Sequence, residues 1–298
     1  MTMLKRLFGA LLTSPIALLL SAGAALAQSA DPVKVPLVPV TEPHDWQIFL
    51  QSPEGPLAHA VDRLNDFVSV IVIGICVLVG VLLVIVLTRF NHKRHPVPSQ
   101  TSHNTPLEVA WTLIPALLLV LIAIPSFSVV FYQDHTNDPY MTVNVTGHQW
   151  YWEYTYPNDG GIDFNSTFVP DDKLKAGQLR LLTASAPMVV PVGKNIQLVT
   201  TSTDVIHSFF VPSLGIQRYA IPGRHIRMWF KAVKPGLYIG ECNQICGTNH
   251  SRMPINIVAV PQKEFEAWVT YAKKQFASDA KPSPDLMASA GGLPAPMR

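Results

Sequence analysis

From residue 67 to residue 87 the chain runs through 21 positions without a charged side chain. Such a run leaves little choice of structure. In hydrocarbon no water satisfies a peptide group, so the segment must close its own hydrogen bonds as a helix. About 20 apolar residues are enough to cross a bilayer. Residues 109–132 give a second run, interrupted by Pro115 and Pro125, which membrane helices tolerate when neighbouring groups re-satisfy the backbone. Between the two lies the short basic stretch Arg89-Phe-Asn-His-Lys93-Arg94-His. By the positive-inside rule this loop stays in the cytoplasm and both ends of the helix pair face outward. A charged fraction of only 14% fits membrane segments. The net charge of +2 gives no argument for a nucleic-acid partner. Cys76, inside the first run, reads as a small packing residue.

The flanking segments set the rest of the architecture. Residues 1–27 read as a secretory signal: Lys5 and Arg6, an apolar run through Leu18-Leu-Leu20, then Ala25-Leu-Ala27 for cleavage. Residues 28–61 are rich in proline at first and read as an exported extended segment lying on a partner or on the membrane surface. Residues 62–132 form the helical hairpin. Beyond residue 132 the period changes to two. Val143 and Val145 alternate with polar residues, and so do Trp150, Trp152, Tyr154 and Tyr156 with their neighbours. Further strands are predicted over 188–191, 195–201, 225–230, 237–240 and 255–260, separated by Pro/Gly turns. Short strands of this kind make a β-sandwich, expected over 133–277. Residues 171–186 read as an insertion with partial helical character. Residues 262–276 carry Phe265, Trp268, Val269 and Phe276 on one helical face. Residues 278–298, rich in Ala, Pro and Gly, are expected to form a disordered tail.

One stretch of the exported part carries chemistry: Cys242-Asn-Gln-Ile-Cys246-Gly-Thr-Asn-His250-Ser-Arg-Met253. Thiolate and thioether are soft ligands that favour copper, and imidazole suits copper, zinc and iron. Structural zinc sites prefer Cys-x2-Cys pairs and rarely recruit Met. A mononuclear blue-copper site uses a single Cys. With a second Cys, two copper ions can share two bridging thiolates, and the further imidazole this needs has a candidate in His207 of Asp204-Val-Ile-His207. A Cys242–Cys246 disulfide is the bland alternative in an exported loop, but it leaves His250 and Met253 without a role. No Cys-x-x-Cys-His occurs, so no haem c is attached to this chain.

These residues resemble the copper loop of the subunit II family of haem-copper respiratory oxidases, specifically of cytochrome c oxidase. The likeness extends to Gly147-His-Gln-Trp-Tyr-Trp152, Asp204-Val-Ile-His207, Pro222-Gly-Arg224 and His103-Asn-Thr-Pro-Leu-Glu-Val-Ala-Trp111, in family order. The resemblance implies a two-helix transmembrane hairpin followed by an all-β cupredoxin-like Greek-key sandwich, with the loop between two late strands. It implies a dinuclear copper centre held by His207, Cys242, Cys246, His250, Met253 and the backbone carbonyl of Gln244. Trp150 and Tyr151 match the place where electrons from cytochrome c enter, and no catalytic residue beyond electron transfer is implied. Glu108 matches a glutamate near a proton-uptake route into the partner subunit. It also completes Thr105-Pro106-Leu107-Glu108, a capping box with proline at the first helical position. The implied partners are oxidase subunit I, which holds the haem, other oxidase subunits, cytochrome c and the membrane. The implied location is a bacterial inner membrane, multi-pass, with the copper domain in the periplasm.

Two departures from the family matter. Gln244 replaces a glutamate that also helps bind an interface magnesium ion, and Tyr219 replaces an aspartate near it. Both remove the hard anionic oxygen that magnesium prefers, which puts that ion in doubt. Residues 132–277 carry 11 acidic and 13 basic side chains, so a basic cytochrome would rely on a local acidic patch. Two other functions compete: a quinol-oxidase-type subunit II, against which the retained copper ligands argue, and a membrane-anchored copper carrier, which has no use for the Trp-rich strand or Glu108.

Overall fold

The computed structural model describes residues 33, 34, 36, 38–135 and 138–276. The signal reading of 1–27 and the tail reading of 278–298 lie outside the described residues. Two long helices come first, α1 (Pro56–Arg89) and α2 (Thr105–Asp134). Both are long and apolar enough to cross a membrane, and their Val, Leu and Ile side chains point outward from the chain.

Each helix starts differently from the sequence expectation. Asn104, not Thr105, caps α2: its side chain accepts the Leu107 N–H at 3.2 Å, and Glu108 reaches back to the Asn104 N–H at 3.1 Å. The box therefore opens one residue earlier, and Pro106 occupies the second helical position, where a missing N–H costs nothing. Helix α1 begins well before the charge-free run because its first turn packs on the sandwich, burying Leu57, Ala58 and Ala60.

The N-terminal segment also lies on this chain itself rather than only on a partner or membrane. Val40 N–H donates to Leu237 at 2.8 Å, Glu54 N–H donates to Ser213 at 2.8 Å, and the Glu54 carboxylate pairs with Lys234 at 3.0 Å. Gly55 is needed there, since a Cβ would stand 2.4 Å from the Lys231 carbonyl.

Among the described residues the sandwich has ten strands: β1 (Met141–His148), β2 (Tyr151–Tyr156), β3 (Ile162–Ser166), β4 (Met188–Pro191), β5 (Ile196–Ser202), β6 (His207–Val211), β7 (Ile216–Ala220), β8 (Ile226–Phe230), β9 (Gly236–Cys242) and β10 (Pro254–Val260). One sheet has the order β3-β2-β1-β5-β8 and the other β4-β10-β9-β6-β7. The β1–β5 and β4–β10 pairs are parallel and the rest antiparallel. This is the cupredoxin-like Greek-key sandwich. Its core takes Val143, Val145 and Leu198 from one sheet and Phe209, Tyr238 and Ile257 from the other. Trp152, Tyr154 and Tyr156 are all fully buried, as alternation along β2 requires. Strands β3, β6 and β7 were not expected. The insertion region holds only a short 3-10 turn, Asp171–Lys173.

Helix α3 (Gln262–Phe276) closes one end and buries Phe265, Trp268 and Ala272 against the aromatic residues of β2 and β3. At the β8 edge of the first sheet the sandwich is tied to α2. The Trp229 indole donates to the Tyr132 carbonyl at 2.7 Å, and the two rings meet edge to face.

Candidate metal centre

Strand β9 ends on Cys242, and β10 starts at Pro254, so the Cys/His/Met stretch is the loop joining two paired strands. The first cysteine is fixed by backbone bonds: its N–H donates to the Met253 carbonyl at 3.0 Å, and it lies opposite Phe209 on β6. His207 opens that same strand, two residues from Phe209. Pairing of β6 with β9 therefore delivers an imidazole from a distant part of the sequence to the loop.

The donor atoms converge. Cys242 Sγ and Cys246 Sγ are 3.9 Å apart. His207 Nδ1 lies 4.0 Å from Cys242 Sγ, and His250 Nδ1 lies 3.6 Å from Cys246 Sγ. The Gln244 carbonyl is 3.4 Å from Cys242 Sγ. His207, Cys242 and Cys246 are buried, with one donor atom from each within 4.8 Å of the others. Met253 is buried beside them in the same core. All three cysteines of the chain are free, including Cys76, which is exposed on α1 rather than packed within this chain.

The loop reaches this shape through two local devices. Gly247 has φ +127°, a conformation that side-chain-bearing residues avoid. The 3-10 turn His250–Arg252 then brings the second imidazole back over Cys246, with the His250 N–H on the Gly247 carbonyl at 3.1 Å.

A second layer of contacts holds the ligands. Asp204 Oδ1 meets His207 Nε2 at 2.9 Å, which leaves Nδ1 as the nitrogen facing the sulfurs. Asp204 Oδ2 accepts the Gln149 N–H at 2.6 Å, and the Gln149 amide donates to the Cys246 carbonyl at 2.8 Å. Trp152 packs edge-on against the His207 ring. Gly147 leaves room for that ring, since a Cβ there would stand 2.8 Å from its Cδ2. Burial and the neighbouring Cys242 push the Cys246 thiol up to about 12. A metal that binds this thiol must displace its proton.

The donor set fits copper. Two buried soft sulfurs lie next to each other with an imidazole nitrogen beside each. Sequence reasoning had not assigned Asp204, Gln149 or Gly147 a role, although the Asp204–His207 spacing was visible.

The residues read as the point where electrons enter lie beside this loop. Trp150 sits in the turn before β2, outside the strand, which removes the need for it to share a face with Trp152. It is half-buried, and its ring packs on Gly247, where a Cβ would come within 3.0 Å. Tyr151 stacks flat on His148, with centroids 4.5 Å apart. Glu108 is remote, at the far end of α2. Tyr219 is exposed on β7, and Gln244 is half-buried.

The sequence profile of the cytochrome C oxidase subunit II periplasmic domain matches residues 141–260, and that of the subunit II transmembrane domain matches residues 43–129. A probable cytochrome c oxidase subunit 2 of Rickettsia bellii is 40% identical over 238 residues, covering 80% of this chain and 88% of its own. Cytochrome c oxidase subunit 2 of Oenothera berteroana is 40% identical over 231 residues, covering 76% and 90%. The crystal structure of the periplasmic domain of subunit II of cytochrome oxidase from Bradyrhizobium japonicum is 45% identical. It has a TM-score of 0.45 and covers 48% of this chain and 100% of that one.

Proposed function

This chain belongs to the cytochrome c oxidase subunit II family, and from that premise we propose that it is the subunit at which cytochrome c delivers electrons to a haem-copper oxidase. The observation that carries this reading is the pair of thiols 3.9 Å apart, each with an imidazole Nδ1 beside it. A dinuclear copper centre supplies, when bound, a one-electron relay toward haem in subunit I, where oxygen is reduced to water with proton pumping. His207, Cys242, Cys246, His250, Met253 and the Gln244 carbonyl are the proposed ligands. Cys242 and Cys246 would supply the two thiolates, and His207 and His250 the two imidazoles.

The other residues position and protect. Asp204 fixes the His207 ring, Gln149 ties the Gly147–Trp152 turn to the loop, and Trp152 and Phe209 keep water out. Trp150 and Tyr151 form the proposed contact for cytochrome c. Glu108 is half-buried beside His103 at the opposite end of α2, which the basic loop assigns to the cytoplasmic side. There it would stand at the mouth of a proton-uptake route in the partner. The sandwich then lies in the periplasm, with two helices in the inner membrane.

The interface magnesium is proposed to be weak or absent, because Gln244 and Tyr219 carry no carboxylate. One tightly held magnesium or manganese per purified complex would refute that. Copper analysis and paramagnetic resonance of the copper-loaded protein test the main reading. Two coppers sharing one unpaired electron are expected, and a spectrum of isolated copper would reject it. Co-purification with a haem-bearing membrane protein separates an oxidase subunit from a copper carrier.

A further inference from the structure

Between the outward ends of α1 and α2 lies a groove of about 630 Å³, within the range of roughly 300–1,000 Å³ typical of small-molecule sites. Its lining is ordered along the helix axis. On α1, His59, Arg63 and Phe67 follow at successive turns, and α2 contributes Pro125, Val129 and Tyr132. Phe67 opens the charge-free run, so it marks the edge of the hydrocarbon. Arg63 stands four residues further out, about 6 Å along the axis. The headgroup layer of one leaflet is about 5–7 Å thick, so Arg63 sits at phosphate depth. His59 closes the outer end one turn beyond.

The Arg63 charge is unopposed in the groove. Neither Arg63 nor His59 has an ion-pair partner among the described residues. No carboxylate lines the groove; Asp62 and Asp66 are outside the lining. A phosphate diester would find a guanidinium with several N–H donors. The ammonium of a zwitterionic head group would find no counter-charge. Below Arg63, Phe67 and Val129 offer an apolar wall at the edge of the acyl-chain layer.

We propose that this groove binds one phospholipid with a net anionic head group, its phosphate on Arg63 and His59 and the start of one acyl chain along Phe67 and Val129. The inference rests on the membrane reading of the two helices and goes beyond the electron-transfer role.

The test uses the whole oxidase complex, purified in detergent and stripped of loose lipid. Native mass spectrometry reads bound phosphatidylglycerol against phosphatidylethanolamine. The wild type is expected to keep one phosphatidylglycerol per copy of this chain. The Arg63→Gln/His59→Gln double variant, altered only at exposed positions, should reduce its occupancy at least tenfold. Val129→Trp, which fills the groove and leaves Arg63 and His59 in place, should do the same. Re-addition of the two lipids to stripped wild type needs no variant and should favour phosphatidylglycerol. Equal retention by wild type and variants, or equal uptake of the two lipids, would overturn the proposal. So would cross-linking of Val129→Cys to a helix of another subunit, because the groove would then be filled by protein. Each of these can occur in a complex that still carries copper and haem, so failure here leaves the electron-transfer reading standing.

Discussion

Nε2 of His207 lies 2.9 Å from Oδ1 of Asp204, three residues earlier in the chain. The contact fixes which imidazole nitrogen faces the cysteines, since a ring nitrogen bonded to a carboxylate is held as the N–H donor. Asp204→Asn keeps the volume but can present an amide N–H to that nitrogen, favouring the wrong tautomer. Copper affinity, measured by competition with a chelator, should fall about 10- to 100-fold. Unchanged affinity would remove Asp204 from the site's supporting contacts.

Gly147 makes a sharper steric test. An added methyl would stand 2.8 Å from His207 Cδ2 and 3.1 Å from its Cγ. The ring has no free direction, because it is fully buried between Trp152 and the Asp204 contact. Gly147→Ala should displace His207, weaken copper binding and change the paramagnetic spectrum while the sandwich stays folded. A variant with wild-type copper content and spectrum would mean that the ring shifts freely.

The parts legible in the sequence are those that local pattern controls. The charge-free run gave α1, period two gave β1 and β2, and the apolar face at 262–276 gave α3 with its observed ends. Copper chemistry was legible because Cys242, Cys246, His250 and Met253 are neighbours in sequence. Other features depend on contacts between distant residues. Strands β6 and β7 run through His207-Ser-Phe-Phe-Val and Ile-Gln-Arg-Tyr-Ala, too short and mixed to show a period; the pairing of β6 with β9 and of β7 with β6 defines them. The hold of Gln149 on Cys246 spans 97 positions and has no local signal. The first turn of α1 was missed because its apolar residues face the sandwich, not lipid.

Trp150 is half-buried and packs on the copper loop at Gly247. Trp150→Ala should therefore do two separable things. Stability should drop by about 1–3 kcal/mol, less than the roughly 3–5 kcal/mol of a fully buried aromatic. Electron transfer from cytochrome c should slow while copper content stays full. Stopped-flow reduction alongside copper analysis distinguishes the roles. Parallel loss of copper and rate would make Trp150 a packing residue of the loop and nothing more.

The last prediction concerns Asp163 on β3. Its carboxyl is pushed up from 3.8 to about 6, first by burial, then by the charge and hydrogen bond of the neighbouring Glu153, against a smaller opposing effect of His148. Glu153 is itself held by His148 Nε2 at 2.8 Å, and His148 stacks on Tyr151. The folded state thus binds a proton on Asp163 more tightly than the unfolded chain does, so stability from this group falls as pH rises. The contribution is fully present below about 3.8 and is lost as pH rises through about 6. Asp163→Asn cannot ionise and keeps an amide N–H to donate to Glu153. Relative to wild type, the variant should gain melting temperature steadily between pH 4 and pH 6 and hold that gain above it. Thermal melts of both proteins across this range decide the matter. A difference that stays constant with pH would show that Asp163 titrates in the folded protein as it does in the unfolded chain.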